Sequence, residues 1–340
     1  MASINKAESS DPHDLVTTVV VNWNGRAFLN KCLSSLVAQT YQSHEIILVD
    51  NASTDGSADY VEAKWPSIKV LRSRTNIGFA AGNNLAIQRS TGKYVALLNN
   101  DAYAEPDWLA KMIEVVDQHQ DVGMIACKML FADRPTIINS TGICIDRVGI
   151  AWDRCGGEVE SNDTEPPTEI FGPCAGAALY RRNMLSEIGL FDEDFFMYLE
   201  DVDLAWRARR SGWRCLYVPM ARVVHYHSAS STEGSPFKSF HLGRNKVWLI
   251  IKNYPFAQLW AYAPLLIGYD LAAVIYALIG RRDIHALRGR LAGWAGARKM
   301  WRKRQAASSL RRDDLAWLSP IEPPWLVPHR YRHLSERRNK

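Results

Sequence analysis

Three polar residues in a row follow one apolar stretch of this sequence, and the last of them is acidic. The segment "YVALLNND" ends in Asn99, Asn100 and Asp101. Mg²⁺ and Mn²⁺ take oxygen ligands in proteins, often one or two carboxylates together with the phosphates of a substrate. Asp101 therefore predicts a divalent metal site, with a cap or turn before the next helix as the alternative. One carboxylate binds metal weakly, so we expect a second ligand.

Two histidines are candidates for that second ligand. His225 and His227 are two residues apart in the predicted strand "ARVVHYHS", so they point to opposite faces of a sheet. Only one of them can face Asp101, and the residues alone do not say which. A lone histidine in a strand can also be purely structural.

A further group of acids opens a predicted helix in "FFMYLEDVDLAWR". Glu200, Asp201 and Asp203 would interact favourably with the helix dipole there whatever their function. A carboxylate at a helix start beside an aromatic loop also suits a general base, which removes a proton from a bound hydroxyl. Asp50, which ends "HEIILVD", either organises the following turn or accepts a hydrogen bond from a nucleobase or a ribose.

The elements that must position these residues alternate between strand and helix. Continuous apolar strands are predicted at "LVTTVVVN", "HEIILVD", "IKVLRS", "KYVALLNN" and "VGMIACKML", with amphipathic helices between them. This alternation predicts a mostly parallel α/β sheet flanked by helices, with ligands bound at the carboxyl ends of the strands. Polar clusters follow four of these strands: Asn22 and Asn24; Asp50 and Asn51; Arg72, Arg74 and Asn76; Asn99, Asn100 and Asp101.

The rest of the chain is predicted less regularly. Residues 131–170 show weak periodicity, and "FGPCAGAALYRR" predicts a strand of small residues. A helix, an aromatic loop and the helix that opens at Glu200 or Asp201 follow. "WRCLYVP" and "ARVVHYHS" predict two short strands, and an all-helical region begins at residue 236.

Composition and motifs exclude several classes of protein. The chain has 340 residues, 47% of them hydrophobic, which is enough for one large domain or two modest ones. Its six cysteines form no C-x-x-C pair, which favours a reduced cytosolic chain. The sequence lacks the G-x-G-x-x-G, G-x-x-x-x-G-K-[ST] and G-x-S-x-G motifs of dinucleotide-binding proteins, P-loop enzymes and serine hydrolases.

Basic residues concentrate at the end of the chain, after an apolar stretch. Residues 281–340 hold 16 Lys and Arg against 5 Asp and Glu, a net +11, within a whole-chain charge of +5. No nucleic-acid-reading motif is visible there, so an anionic membrane surface is the expected partner. Residues 259–280 are nearly long enough to span a bilayer, but Asp270 would lie near its middle, which is costly. We expect a helix that lies on a membrane or packs on the protein; buried helices with solvated basic faces are the alternative.

Five motifs occur in a characteristic order and spacing: "VVVNWNG", "ILVDNASTDGS", "NIGFAAGNN", "YVALLNND" and "FFMYLEDVDLAWR". Together they resemble family 2 glycosyltransferases of the GT-A fold, in particular the rhamnosyltransferase-like bacterial members. The resemblance covers roughly residues 15 to 255. It implies an inverting transfer of a sugar from a nucleotide-diphosphate donor to a hydroxyl, with Mg²⁺ or Mn²⁺ as cofactor.

The resemblance also implies roles for individual residues. Asp201 matches the catalytic base beside Glu200, and Asp101 matches the last acid of a metal-binding D-x-D motif whose first acid is Asn99 here. His225 matches a metal ligand better than His227. The expected donor-binding residues are Asn22, Asn24, Asp50, Asn76, Gly78, Gly82, Asn99 and Asn100.

The same resemblance suggests an organisation and a substrate. We expect a disordered lead-in over residues 1–14, a catalytic domain over 15–235 and a helical basic region over 236–340. Within the catalytic domain, residues 15–130 would bind the donor and residues 131–235 the acceptor. The expected reaction moves a sugar from its nucleotide to a glycan or lipid-linked acceptor, and L-rhamnose from dTDP-rhamnose is the first sugar we expect. The expected location is the cytoplasm or the inner face of the plasma membrane. A nucleotidyltransferase and an inactive nucleotide-sugar-binding scaffold are the alternatives.

Overall fold

The computed structural model describes residues 15–160, 165–226, 235–306 and 317–321. The lead-in predicted for residues 1–14, and His227, lie outside these ranges. Strands and helices alternate through the first part as the sequence predicts. They are β1 (Val16–Asn22), α1 (Arg26–Val37), β2 (His44–Asp50), α2 (Ser57–Lys64), β3 (Lys69–Arg72), α3 (Gly78–Gln88), β4 (Tyr94–Leu98), β5 (Ala102–Ala104), α4 (Trp108–Gln118) and β6 (Val122–Phe131).

The middle of the chain adds further strands and two helices. The prediction of two short strands near residue 220 is wrong, because one strand covers the whole segment. Its pairing with β6 is interrupted between Val218 and Arg222. Pro219 lies in that interruption and has no backbone N–H to donate, which explains the broken pattern in the sequence. The elements are β7 (Arg134–Ser140), β8 (Ile143–Ile145), β9 (Ala151–Asp153), β10 (Thr168–Ile170), β11 (Ala177–Arg181), α5 (Arg182–Ile188), α6 (Glu200–Arg210) and β12 (Arg214–His225).

The main sheet has the strand order β10-β12-β6-β11-β4-β1-β2-β3, with β5 on β12 and β7 on β6. Strands β4, β1, β2 and β3 are parallel neighbours. Strand β11 lies antiparallel between β4 and β6, so β6 runs in the same direction as β4. All five strands predicted for the first part therefore run one way, and their carboxyl ends lie along one edge of the sheet.

Both faces of the sheet are covered, which accounts for the continuous apolar strands. Val19 and Ile47 lie in one core cluster, with residues of α3 and α6. Val20 and Leu48 point the other way into a second cluster, with residues of α1 and α4. Successive strand residues alternate between these two clusters, as the geometry of a strand requires.

The helices after β12 pack mainly on one another and on α6. They are α7 (Pro236–Asn253), α8 (Phe256–Ile275), which a π-helical turn (Tyr276–Gly280) extends, α9 (His285–Ala295) and α10 (Ala297–Ala306). Leu249 and Ile251 of α7 and Met300 of α10 belong to the same core cluster as Val19. Helices α7 and α10 therefore contribute to this core, whereas α8 is largely exposed.

Candidate active site

A cleft of about 690 Å³ opens at the carboxyl ends of β1 and β4. Its walls come from the ends of these strands, the loop between α5 and α6 with the first turn of α6, strand β9 and the start of α7. Seven residues predicted for the site line it: Asn76, Asn99, Asn100, Asp101, Glu200, Asp201 and His225.

Asp101 and His225 face each other on one side of the cleft. Asp101 Oδ1 lies 3.1 Å from His225 Nε2, and both residues are almost fully buried. His225 Nδ1 lies 2.8 Å from Asn139 Oδ1, which only accepts hydrogen bonds, so Nδ1 carries the proton. In the neutral ring, Nε2 therefore presents its lone pair towards the Asp101 carboxylate.

This arrangement fits a divalent metal. A carboxylate and a neutral imidazole nitrogen are metal ligands, and a histidine ligand normally donates its other N–H to a fixed acceptor. Asn99 stands at the position of the first acid in the D-x-D motif. Its Nδ2 lies 3.3 Å from His225 Nε2. Within the described ranges, no group of three or more His, Cys, Asp and Glu side chains meets. Asp101 and His225 are thus two candidate ligands among the described residues, and the other positions would suit donor phosphates and water.

Asp201 lies on another wall of the same cleft, in the first turn of α6. Its Oδ2 accepts a hydrogen bond from the backbone N–H of Ala175 at 3.1 Å, and its Oδ1 accepts one from Val202 N–H at 2.8 Å. These donors fix the orientation of the carboxylate. Glu200 lies beside it, and its Oε2 is buried with no hydrogen-bond partner in the described part of the chain.

The two neighbouring acids have different environments. Burial raises the pKa of Glu200 well above its ordinary value, and the negative charge of Asp201 raises it further. Burial also raises the pKa of Asp201, but its backbone donors oppose that effect. The acid that accepts N–H bonds ionises first, so when the pair holds one proton we assign the charge to Asp201 and the proton to Glu200.

The third acid of this segment has a different environment. Asp203 is fully buried and forms ion pairs with Arg207 at 2.9 Å and Lys252 at 2.8 Å. Although burial opposes ionisation, these cations hold the pKa of Asp203 well below its usual range. Asp203 therefore joins α6 to α7 and does not line the cleft.

The loop before Glu200 has an unusual backbone conformation. Phe196, Tyr198 and Leu199 all have positive φ angles, between 63° and 72°. Such angles cost energy for residues with a side chain, and they persist where surrounding contacts enforce them. Here Asn245 Nδ2 on α7 lies within 3.0 Å of the carbonyl oxygens of Phe195, Met197 and Tyr198.

The donor-side residues are connected by hydrogen bonds at the sheet edge. Asn100 Nδ2 donates to Asn22 Oδ1 at 2.8 Å, and Asn22 Nδ2 lies 3.5 Å from Asp50 Oδ1. Asp50 Oδ2 accepts from Ser53 N–H at 3.2 Å. Asn76 Oδ1 accepts from Asn51 Nδ2 at 2.9 Å, and both of these residues line the cleft.

Five predicted donor residues do not line the cleft: Asn22, Asp50, Asn24, Gly78 and Gly82. The last three have structural contacts instead. Asn24 is exposed, and its Oδ1 accepts from Thr54 N–H at 2.8 Å. A Cβ atom at Gly78 would lie 2.5 Å from the ring of Phe196, so only glycine permits this approach of α3 to the aromatic loop. A Cβ at Gly82 would lie 2.9 Å from Val21, between α3 and β1.

The order of these elements and the placement of the acids can be compared with known families. Residues 17–189, more than half of the chain, match the model for Glycosyl transferase family 2. The chain belongs to glycosyl transferase family 2. It is a glycosyltransferase, and the resemblance seen in its motifs is confirmed.

Relatives of this glycosyltransferase include a rhamnosyltransferase. An N-acetylglucosaminyl-diphospho-decaprenol L-rhamnosyltransferase of Mycobacterium tuberculosis is 27% identical over 246 residues, which cover 66% of this chain and 79% of that protein. The O-antigen biosynthesis protein RfbC of Myxococcus xanthus is 28% identical over 224 residues, covering 63% of this chain but only 17% of that protein.

Solved structures of glycosyltransferases share the fold. Residues 1–349 of S. aureus TarS, in complex with UDP-GlcNAc, align with a TM-score of 0.57 at 18% identity, covering 87% of this chain and 83% of that one. GalNAc-T7 with UDP, GalNAc and Mn²⁺ aligns with a TM-score of 0.58 at 18% identity, covering 72% and 48%. The predicted GT-A fold is confirmed.

The glycosyltransferase cleft also contains an acid that the sequence did not single out. Asp153, at the end of β9, lines the cleft. Burial raises its pKa to about 6; a hydrogen bond from Ser140 opposes the shift, and the charge of Asp201 adds to it. It lies in the weakly periodic segment 131–170, where an isolated "AWDR" carries no recognisable signal.

Proposed function

We propose that this glycosyltransferase inverts the anomeric carbon of its donor sugar in one displacement, with Asp201 as the base. The supporting observation is the arrangement of its carboxyl groups. The oriented carboxyl group of Asp201 lies on one wall of the cleft, beside the buried Glu200, and Asp101 lies with His225 on another wall.

In this mechanism Asp201 accepts the proton of an acceptor hydroxyl as its oxygen attacks the anomeric carbon. The bond from that carbon to the diphosphate oxygen breaks, and its electron pair leaves with the nucleoside diphosphate. The backbone donors at Ala175 and Val202 hold the carboxylate in place for this proton transfer. No covalent intermediate with the protein is needed.

Asp101 and His225 would hold a divalent metal, Mg²⁺ or Mn²⁺. When bound, such a metal stabilises the negative charge on a departing diphosphate. The proposal is supported by the paired ligands and by the Mn²⁺ in the structure of GalNAc-T7, which shares the fold. Asn139 keeps His225 Nε2 available for coordination.

The donor side would be formed by the amide-rich edge of the sheet. We assign nucleotide contacts to Asp50 and Asn76, with Asn22, Asn99 and Asn100 arranging the edge between them. The first donor to test is dTDP-L-rhamnose, followed by UDP-hexoses and UDP-galactofuranose. The rhamnosyltransferase relative supports this order, and the UDP-GlcNAc in TarS supports a nucleotide sugar in general.

The acceptor would be a hydroxyl of a glycan or a lipid-linked glycan in cell-surface polysaccharide synthesis. The relative from Mycobacterium tuberculosis is named for a lipid-linked acceptor. The net +11 of residues 281–340 suits the anionic inner face of the plasma membrane, where such acceptors would be met from the cytoplasm.

A panel of nucleotide sugars tests the proposal. One nucleotide sugar should be consumed in the presence of Mn²⁺ or Mg²⁺ and should raise the melting temperature of the protein. Asp201→Asn should abolish turnover and leave donor binding within a few-fold. The control is Asp121→Asn, at an exposed acid just before β6 and so at the opposite edge of the sheet. An active Asp201→Asn variant would remove Asp201 from the role of base.

A further inference from the structure

Helix α8 is apolar but largely exposed. Together with its π-helical extension it forms 25 residues, Phe256–Gly280, which are long and apolar enough to cross a membrane, and only 11% of its most apolar stretch is buried. An apolar helix in a protein normally faces a core. The described part of the chain covers little of this one.

The helix has two different stripes along its length. The inward stripe contains Leu259, Tyr262 and Leu266, which contact the protein or lie partly buried. A surface helix in water should be polar on the face that points away from the protein. The opposite face here is apolar as well: Trp260, Ile267, Leu271, Ile275 and Ile279 are between 55% and 78% exposed.

The only charged residue of the helix faces the protein. Asp270 Oδ1 forms ion pairs with Lys246 on α7 at 3.4 Å and with Arg290 on α9 at 2.8 Å. Because α7 packs into the core beside the sheet, these pairs fix α8 along the surface of the protein. A helix that crossed a bilayer would have to break them or carry the partner helices into lipid, which is costly.

The helices that contact α8 carry exposed basic residues. Arg281 and Arg282 follow the helix directly, and Arg288, Arg298 and Arg302 are exposed on α9 and α10. Trp294 and Trp301 are exposed on the same two helices. An apolar face with arginine and tryptophan around it is the composition of a helix that lies in the interface of an anionic bilayer.

We propose that the outward face of α8 inserts into one leaflet of an anionic membrane, with the helix parallel to the surface and Asp270 turned to the protein. Among the described residues, this surface differs from scattered exposed apolar residues because it is continuous along the whole helix. The inference extends the membrane contact of the proposed function to a defined surface and to a monotopic arrangement.

Co-sedimentation of the full chain with vesicles tests the surface. Wild-type protein should bind vesicles that contain phosphatidylglycerol more tightly than pure phosphatidylcholine vesicles. Ile267→Glu and Leu271→Glu should each weaken binding at least ten-fold, because each places a charge on the inserted face. Val159→Glu, at a residue 70% exposed elsewhere, is the matched control and should bind as wild type does. Equal binding by all three variants would overturn the proposal.

Two further measurements distinguish a helix that lies on the membrane from one that spans it, and a membrane partner from a second copy of the chain. A C-terminal epitope tag should stay accessible on the outside of preformed vesicles, and loss of access would indicate a spanning helix instead. If the same variants turned a dimer into a monomer in sedimentation and left vesicle binding unchanged, the face would bind a second copy of the chain.

Donor consumption in solution separates this inference from the proposed function. Ile267→Glu should consume the donor at the wild-type rate without vesicles, because α8 contributes no residue to the cleft lining. If the protein bound vesicles but consumed no nucleotide sugar, the proposed function would be rejected and the membrane-binding face of α8 would stand. Consumption without vesicle binding would reject the surface.

Discussion

The side-chain amide nitrogen of Asn245 lies 2.7 Å from the carbonyl oxygen of Tyr198. Asn245 is fully buried on α7, and Tyr198 is two residues before the acid pair. The same nitrogen reaches the carbonyls of Phe195 and Met197, and Arg244 Nη2 donates to Phe195 at 2.8 Å. Helix α7 therefore holds the loop that leads to the proposed base.

Asn245→Asp should lower kcat about 10- to 100-fold and change the donor KM by only a few-fold. Aspartate has the same size, but its carboxylate oxygens cannot donate hydrogen bonds to the three carbonyl oxygens and repel them instead. The loop with its positive φ angles should therefore shift and misplace Asp201. Steady-state kinetics with the identified donor measure the effect, and Ser239→Ala on the same helix is the control. A wild-type kcat in Asn245→Asp would show that the loop holds its shape without this amide.

The assigned charges of Glu200 and Asp201 predict opposite outcomes for isosteric amides. Glu200→Gln resembles the protonated acid and should keep kcat within about ten-fold of wild type near neutral pH. Asp201→Asn removes the base and should cost about 100- to 10,000-fold. Equal losses in both variants would contradict the assignment.

The pH profile tests the same pair. Because burial raises the pKa of Asp201 above its ordinary value of 3.8, its proton should be lost at a higher pH than that of an exposed aspartate. The base works only when ionised, so kcat should fall as the pH is lowered through this raised pKa. In Glu200→Gln the acidic limb should remain, and a profile that is flat down to pH 4 would argue against a buried aspartate as base.

Asp153 predicts a stability effect that depends on pH. Its folded pKa of about 6 exceeds the ordinary value of 3.8, so the folded protein binds this proton more tightly than the unfolded chain. The free energy of unfolding should therefore fall as the pH rises from about 4 to about 6, by up to about 3 kcal/mol. Asp153→Asn should raise the melting temperature at pH 8 and leave it unchanged at pH 4. An equal shift at both values would mean that the effect does not come from titration.

The sequence predicted which polar residues meet at the sheet edge because each strand has its own local pattern of apolar residues ending in polar ones. The apolar strands that end at Asn22, Asp50 and Asn99 each carry their own pattern, and parallel strands bring their ends together. The residues made His225 and His227 candidates for meeting Asp101, and only the family resemblance favoured His225, 124 positions away.

Contacts that depend on irregular or distant segments were not predictable in this way. Asn139 and Asp153 lie in the weakly periodic part of the chain, where β7, β8 and β9 are short and pair locally. Asn245 looks like an ordinary polar residue in a basic helix until α7 packs against the aromatic loop. The apolar stretch was recognised, but the partners of Asp270 come from α7 and α9, and only their packing decides which way α8 faces.

Asn139→Leu should weaken metal-dependent donor binding about 10- to 100-fold without removing a metal ligand. Asn139 Oδ1 holds the proton of His225 on Nδ1; without it, the ring can rotate or place its proton on Nε2, which would block coordination. Calorimetric titrations of donor binding at several Mn²⁺ concentrations measure this metal-dependent affinity. Asp101→Ala should lose at least as much of it. A variant at Asn76, which lies on the donor side, should weaken donor binding to the same degree at every Mn²⁺ concentration. If Asn139→Leu behaved like that variant, Asn139 would act on the donor and not through His225.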